Sequence, residues 1–321
     1  MDSPLQEIQA VYSLVSVAVL SRIPIGTSVF DNDWDLLIVL DACRVDALEE
    51  VSSDFEFLNT EQIESRWSVG STSKEWINQT FVNEYSEDLK NTAYITGNGF
   101  GYDLRDPDRK NKYVEFEDTW IGEHPRVQKI LPDGLIEESD LGLLDGLWGN
   151  PDRPQDAENE RLPATITDHT IWVGRHTDHD RVISHYMQPH APLYASADSY
   201  TNLKDYERNP FAELKKGESK ATVWEAYLEN LRFVLSNIEI LLSNFDGEKV
   251  VITADHGELF GEWGLYSHPA GVPHPALRRV PWVEITATDL GTHSPDVGEE
   301  EVIERKIDRA AEESLKALGY L

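Results

Sequence analysis

The chain has 321 residues, of which 40% are hydrophobic, enough to build one substantial core. Its 59 acidic residues against 28 Lys and Arg give a formal net charge of −31, which disfavours nucleic acid and anionic membrane surfaces as partners because both would be repelled. The single cysteine, Cys43, excludes an intramolecular disulfide and a metal site built from several cysteines.

Residues 1–30 predict a helical lead-in to the domain. The apolar stretch VYSLVSVAVL at 11–20 is too short to span a bilayer, and the opening MDSPLQE lacks the basic region of a secretory signal. We interpret this stretch as a helix packed on the domain, with an interfacial membrane anchor over residues 5–24 as the alternative. The expected location is therefore the cytoplasm, without a transmembrane segment.

Five short apolar runs alternate with helical patterns and predict an α/β fold with a mostly parallel central sheet sandwiched by helices. The runs are 35–40 (DLLIVL), 92–96 (TAYIT), 181–187 (RVISHYM), 249–253 (KVVIT) and 280–285 (VPWVEI). A helix is expected from about Val45, a long amphipathic helix before the fourth run, and a closing helix at 299–318. The whole chain, 1–321, is expected to form a single domain.

Residues 102–161 interrupt this alternation. The segment is polar, rich in Gly, Pro and Asp, and poor in periodicity. It predicts an irregular excursion over the top of the sheet, with a lid as its candidate role.

Polar or metal-capable side chains follow four of the five runs. Asp41 follows the first, Asn98 closely follows the second, His190 the third, and Asp255 with His256 the fourth. Because ligands bind at the carboxyl ends of the strands in open α/β sheets, these groups are expected to converge on one edge. Taken alone, an Asp after a strand is as readily a cap for the next helix.

Two carboxylates and an imidazole suit Zn²⁺ or Mn²⁺ better than Ca²⁺ or Mg²⁺, which prefer oxygen ligands throughout. Asp41, Asp255 and His256 can supply three ligands and leave a coordination position open. A bound cation would also let a strongly negative protein accept an anionic substrate.

The segment GSTSKEW at 70–76 places three hydroxyl residues between a glycine and a helical pattern. One interpretation is a nucleophile at a helix N-terminus, where free N–H groups stabilise anions. The structural alternative is that Ser71 or Thr72 is a plain N-cap, with Glu75 completing a capping box from Thr72. Further along, the Gly- and Pro-rich stretch 256–274 offers His268 and His274 as loop imidazoles, for which solvated surface positions are the alternative.

Four segments together, in this order, resemble the alkaline phosphatase superfamily on its sulfatase-like branch, and most closely lipoteichoic acid synthases and phosphoethanolamine transferases. They are LLIVLDACRVDAL, GSTSKEW, MQPHAPL and TADHGELFGEWGLYSH. The resemblance implies that Asp41, Thr72, Asp255 and His256 bind a divalent metal and that Thr72 is the nucleophile. It also implies that His190 and His268 face the substrate, with a second metal as the alternative partner of His268.

The activity implied is that of a metal-dependent hydrolase or transferase acting on phosphate esters, above all phosphodiesters, through Thr72. His190 and His268 would act as catalytic residues, and Asn98 and His274 as further substrate contacts. The resemblance suggests cell-surface glycans, glycolipids or their precursors as substrates. One Zn²⁺ or Mn²⁺ is expected, while a second metal stays open because QPHAPLYASAD lacks the D-x-x-x-H spacing of two-metal relatives.

Two alternatives remain. The first is a sulfuric ester hydrolase without formylglycine, since GSTSKEW lacks the Pro and Arg of the formylglycine motif and Cys43 lies elsewhere. The second is a non-catalytic protein of the same fold that binds a glycan or a partner. Separately, the scattered acidic residues resemble those of proteins from salt-loving microbes.

Overall fold

The computed structural model describes residues 26–105, 136, 138–147, 163–194 and 202–297. The strands are β1 (Leu36–Leu40), β2 (Glu64–Trp67), β3 (Thr92–Thr96), β4 (Leu143–Gly146), β5 (Arg181–Tyr186), β6 (Gly247–Thr253), β7 (Leu259–Phe260), β8 (Tyr266–Ser267) and β9 (Arg279–Ala287). The helices are α1 (Val45–Val51), α2 (Ser73–Thr80), α3 (Ser86–Leu89), α4 (Pro163–His176), α5 (Asp205–Arg208), α6 (Pro210–Lys216), α7 (Lys220–Leu242) and α8 (Pro275–Arg278).

Seven strands form one sheet in the order β2-β9-β6-β1-β5-β3-β4. The run β6-β1-β5-β3-β4 is parallel throughout, while β9 and β2 add an antiparallel edge. The short strands β7 and β8 form a separate antiparallel hairpin. The expected α/β class with a mostly parallel sheet flanked by helices is confirmed.

Helices cover both faces of the sheet, which explains why the central strands are apolar without alternation. All five residues of β1 are buried. Leu36, Ile38 and Leu40 pack into a core that includes residues of α1, α4 and α7. Leu37 and Val39 point the other way, into a core that includes residues of α2. The carboxyl end of β1 is thereby fixed between two packed layers.

The structure differs from the sequence-based expectation at two strands. Residues 143–146, inside the predicted excursion, form β4 at one edge of the sheet, and 64–67 form β2 at the other. Both edge strands are only four residues long, and neither presents a run of apolar residues. The predicted helices after residue 45 and before the fourth strand are confirmed as α1 and α7.

Several predicted features lie outside the described residues. They are the lead-in over residues 1–25, the closing helix at 299–318 and the excursion at 106–135, 137 and 148–161. The single-domain assignment and the lid therefore stay predictions. Within the part of the chain that is described, no helix has the length and apolar character needed to cross a bilayer.

Candidate metal centre

Asp41, Asp255 and His256 meet at the carboxyl edge of the sheet. Asp41 directly follows β1, and Asp255 comes two residues after β6, the parallel neighbour of β1. Each residue offers one ligand atom within 4.8 Å of the others, and all three side chains are buried. The structure therefore brings together the three residues that strand order predicted.

Each of the three side chains uses one polar atom in a hydrogen bond to the protein, which leaves its other polar atom available to bind a metal. Asp255 Oδ1 accepts hydrogen bonds from the backbone N–H groups of Ala42 (3.1 Å) and His256 (2.8 Å). Asp41 Oδ2 accepts one from Asn98 Nδ2 at 2.8 Å. His256 Nδ1 donates to the carbonyl of Gly257 at 2.7 Å, which leaves the lone pair of Nε2 available.

The free atoms face one another. His256 Nε2 lies 3.6 Å from Asp41 Oδ1 and 3.5 Å from Asp255 Oδ2. Both of these carboxylate oxygens are buried without a hydrogen-bond partner. Unpaired buried oxygens are destabilising unless something compensates them, and a cation among two oxygens and an imidazole nitrogen does so. The residues present therefore fit a divalent metal.

The two carboxylates also need a positive charge for electrostatic reasons. Burial, and then the charge of Asp255, raises the pKa of Asp41 to about 7. Burial acts in the same direction on Asp255, but the charges of His256 and His185 outweigh it and lower the pKa of Asp255. A divalent cation would let both acids ionise, whereas without one the raised pKa favours the protonated form of Asp41 below about pH 7.

Gly257 explains why the chain turns so tightly after the two ligands. Its N–H donates to the carbonyl of Leu277 at 2.8 Å, and a Cβ at this position would lie 2.0 Å from the carbonyl oxygen of Ala276. Only glycine lets this segment pack directly against the backbone of α8.

Thr72 and Ser73 take different positions at the start of α2. Thr72 is the N-cap, and its Oγ1 accepts a hydrogen bond from the N–H of Glu75 at 3.1 Å. Ser73 is the first helical residue, and its Oγ lies 3.3 Å from Asp41 Oδ2 and 3.3 Å from His256 Nε2. The side-chain hydroxyl that contacts the cluster is thus that of Ser73.

The Glu75 side chain reaches Ser71, one residue before the Thr72 of the expected capping box. Its Oε2 accepts hydrogen bonds from the N–H and the hydroxyl of Ser71, each at 2.8 Å, and its Oε1 accepts one from the N–H of Gly271 at 2.7 Å. Arg278 Nη1 lies 3.5 Å from the same buried carboxylate. Glu75 therefore ties the hydroxyl-bearing loop to the loop after β8.

A second group of side chains adjoins the first. His190, Glu258 and His268 each offer a ligand atom within 4.8 Å of the others. The His268 ring centroid lies 4.6 Å from that of His256 and 5.0 Å from that of His190. The predicted pair His190 and His268 is therefore brought together at the centre. Glu258, which the sequence analysis did not select, belongs to the DHGE segment and follows Asp255 and His256 along the chain.

The two imidazoles of this second group titrate in opposite directions. Burial alone would lower the pKa of His268, but the charge of Glu258, whose Oε2 lies 3.1 Å from Nδ1, outweighs burial and raises the pKa to about 9. Burial and the charge of His268 lower the pKa of His190. At neutral pH the group therefore holds one charged and one neutral ring.

This charge state predicts a pH-dependent contribution to stability. In metal-free protein, the charged His268 stabilises the fold fully below the ordinary histidine pKa of about 6.5, and the stabilisation is lost as the pH rises through about 9. Thermal unfolding of wild type and His268→Gln in chelator should therefore give a Tm difference that is larger at pH 6 than at pH 10. An equal difference at both pH values would contradict the assignment.

The other predicted contacts are placed as follows. Asn98 lies at the centre, but both polar atoms of its amide are used, Nδ2 by Asp41 and Oδ1 by the N–H of Phe100 at 2.9 Å. His274 caps α8, with Nδ1 accepting from the N–H of Ala276 at 3.0 Å, and its ring packs edge-on against Trp263. These contacts hold protein groups in place, and the proposed substrate contacts of Asn98 and His274 stay predictions.

His185 is a buried neighbour of the centre that the sequence analysis did not select. Its Nδ1 shares a hydrogen bond of 2.9 Å with the Tyr94 hydroxyl, and its Nε2 faces Asp255 Oδ2 at 3.6 Å. His185 lies within the apolar run that forms β5. The one sequence signal for its position is that it comes two residues after Ile183, so that both side chains point to the face of the sheet covered by α2.

No protein-family model matches the chain, and neither does the sequence of any curated protein. Among solved structures, the C-terminal periplasmic domain of a phosphoethanolamine transferase from Campylobacter jejuni is 14% identical over 78% of each chain, with a TM-score of 0.41. The soluble domain of a lipooligosaccharide phosphoethanolamine transferase from Neisseria meningitidis is 14% identical over 80% of this chain and 77% of that chain, with a TM-score of 0.48. The integral membrane form from the same organism is 16% identical over 90% of this chain and 56% of that one, with a TM-score of 0.40. At such low identities and TM-scores these likenesses say nothing about the chemistry of this chain.

Proposed function

We propose that this chain is a metal-dependent enzyme that hydrolyses or transfers phosphate esters, above all phosphodiesters, through a side-chain hydroxyl. The observation that carries the proposal is a buried point where two carboxylate oxygens lack partners and face an imidazole nitrogen. A hydroxyl group lies 3.3 Å from two side chains of this cluster, which is the arrangement a metal-activated nucleophile requires.

Asp41, Asp255 and His256 would hold the metal, and this donor set favours Zn²⁺ or Mn²⁺. When bound, a divalent metal lowers the pKa of a neighbouring hydroxyl and neutralises charge on phosphoryl oxygens. The same positive charge would draw an anionic ester into a protein whose net charge is −31.

We assign the nucleophile to Ser73. Its Oγ attacks phosphorus, the hydroxyl proton passes to Asp41 Oδ2 at 3.3 Å, and the bond to the leaving alcohol breaks. Water or an acceptor alcohol then attacks the phosphoserine and gives its proton to His268, which lost one to the first leaving alcohol. As the bond between phosphorus and Ser73 Oγ breaks, Asp41 returns the proton to that oxygen. Thr72 is the alternative nucleophile; its Oγ1 already accepts the capping hydrogen bond of α2, which makes it the less available of the two.

His268 is suited to protonate the leaving alcohol because Glu258 keeps its ring charged at neutral pH. His190 is neutral under the same conditions and uses its single N–H on the carbonyl of Ala191, so its Nε2 would accept a proton or a hydrogen bond from the substrate. The alternative for this trio is a second metal, in which case the purified protein should hold two metals per chain rather than one.

The substrate class rests on the motifs alone. Cell-surface glycans, glycolipids and their precursors stay the predicted substrates, the cytoplasm the predicted location, and a salt-loving microbe the predicted source.

The proposal is tested by assaying protein purified without chelator on an aryl phosphodiester and an aryl sulfate, each with added Mn²⁺ or Zn²⁺. We expect turnover of the phosphodiester, loss of that turnover in chelator, and recovery when metal is restored. Faster turnover of the sulfate would identify a sulfatase instead. Absence of both activities in metal-loaded protein would favour the non-catalytic binding protein.

A further inference from the structure

We infer that Tyr227 is a positioning residue for the metal centre: its hydroxyl holds Ala42 in a left-handed conformation that directs the Ala42 N–H at Asp255. The inference rests on the proposed function, since it concerns the orientation of a metal ligand. Tyr227 lies on α7, its ring is buried, and its hydroxyl contacts the turn that follows β1.

The turn after β1 carries one metal ligand and orients another. Asp41 N–H donates to the carbonyl of Tyr186 at 3.0 Å, and Cys43 N–H donates to that of Leu40 at 3.1 Å. Between them Ala42 has a φ of 61°, a region that residues with a side chain rarely adopt. In this conformation the Ala42 N–H donates to Asp255 Oδ1 at 3.1 Å.

The Tyr227 hydroxyl joins the Ala42 carbonyl to the backbone N–H two residues later. It donates to the carbonyl of Ala42 at 2.7 Å and accepts from the N–H of Arg44 at 3.1 Å. The ring packs edge-on against Phe260 with a centroid separation of 5.2 Å, and Trp224 lies 5.4 Å away. Packing thus fixes where the hydroxyl stands, and the hydroxyl fixes the turn.

The consequence reaches the metal through Asp255. Its Oδ1 has two donors, Ala42 N–H and His256 N–H, and these hold Oδ2 toward the cluster. If Ala42 relaxed to an ordinary φ, its N–H would turn away and the carboxylate would lose one of the two bonds that set its rotation. Tyr227 therefore acts on the metal without touching it.

Tyr227→Phe removes only the hydroxyl and keeps the ring. We expect the dissociation constant for Zn²⁺ or Mn²⁺, measured by calorimetry, to rise about 10-fold, the scale seen when groups that orient metal ligands are lost. Tyr186→Phe is the matched control: it is equally buried, its hydroxyl pairs with Thr167 Oγ1 at 2.9 Å, and it should leave metal affinity unchanged.

Ala42→Gly distinguishes this role from general stabilisation, because glycine adopts a φ near 61° without strain. The double variant Ala42→Gly with Tyr227→Phe should bind metal as tightly as Ala42→Gly alone, even if Tyr227→Phe by itself folds poorly. A double variant that binds about 10-fold more weakly than Ala42→Gly would overturn the inference. So would a Tyr227→Phe protein that binds metal like wild type. A wild-type protein that binds no metal would instead overturn the proposed function, and the inference with it.

Discussion

Ser73→Ala is expected to lower kcat for an aryl phosphodiester by at least about 1,000-fold, equivalent to about 4 kcal/mol of transition-state stabilisation. The reason is that the variant lacks the hydroxyl that lies 3.3 Å from Asp41 Oδ2 and His256 Nε2. Steady-state kinetics with metal in excess measures the loss, and calorimetry should show that metal still binds.

Thr72→Ala is the matched variant, one residue earlier. It removes the cap of α2, so we expect a loss of about 1 kcal/mol in the free energy of unfolding but only a modest loss of kcat. An active Ser73→Ala protein beside an inactive Thr72→Ala protein would return the nucleophile to Thr72.

Asp255→Asn is expected to weaken metal binding by at least about 100-fold, more than the loss of a group that only orients a ligand. An Asn side chain can keep the Oδ1 acceptor that Ala42 and His256 use, but it replaces Oδ2 with an NH₂ group that cannot act as a ligand. Calorimetry with Zn²⁺ or Mn²⁺ measures the change, and phosphodiesterase activity should fall in parallel.

Asp145→Asn is the control for this substitution. Asp145 is also buried near the carboxyl end of a parallel strand, but its carboxylate pairs with His169 at 2.6 Å, outside the cluster. The metal affinity of the Asp145→Asn protein should match that of wild type. Equal metal affinity in Asp255→Asn and wild type would exclude Asp255 as a ligand.

The convergence of Asp41, Asp255 and His256 was predictable because topology dictates it. Once Asp41 and Asp255 are placed after neighbouring parallel strands, both must lie at the same edge of the sheet. The central strands were also predictable, since burial on both faces demands continuous apolar runs.

Which of the three hydroxyl groups contacts the cluster was not predictable from the residues. GSTSKEW contains three hydroxyl residues in a row, and a shift of one residue in the helix start exchanges the capping and inward-facing positions. The residue at which α2 begins depends on Glu75, whose carboxylate accepts hydrogen bonds from Ser71 and Gly271. The contact between Glu75 and Gly271 spans 196 residues of sequence. A long-range contact of this kind leaves no local pattern.

The edge strands escaped prediction for a related reason. In β2, Glu64–Trp67, most residues are polar and no apolar run marks the strand, because it pairs only with β9 and is exposed at the sheet edge. His185 was hidden in the opposite way, because it is a polar residue inside an apolar run and only its alternation with Ile183 indicates which face of the sheet it lies on.

The most direct test of the account is a crystal structure of zinc-loaded protein with anomalous data collected at the zinc edge. We expect an anomalous peak within bonding distance of Asp41 Oδ1, Asp255 Oδ2 and His256 Nε2, with Ser73 Oγ facing it. A structure without a peak there, or with one only among His190, Glu258 and His268, would contradict the proposed centre.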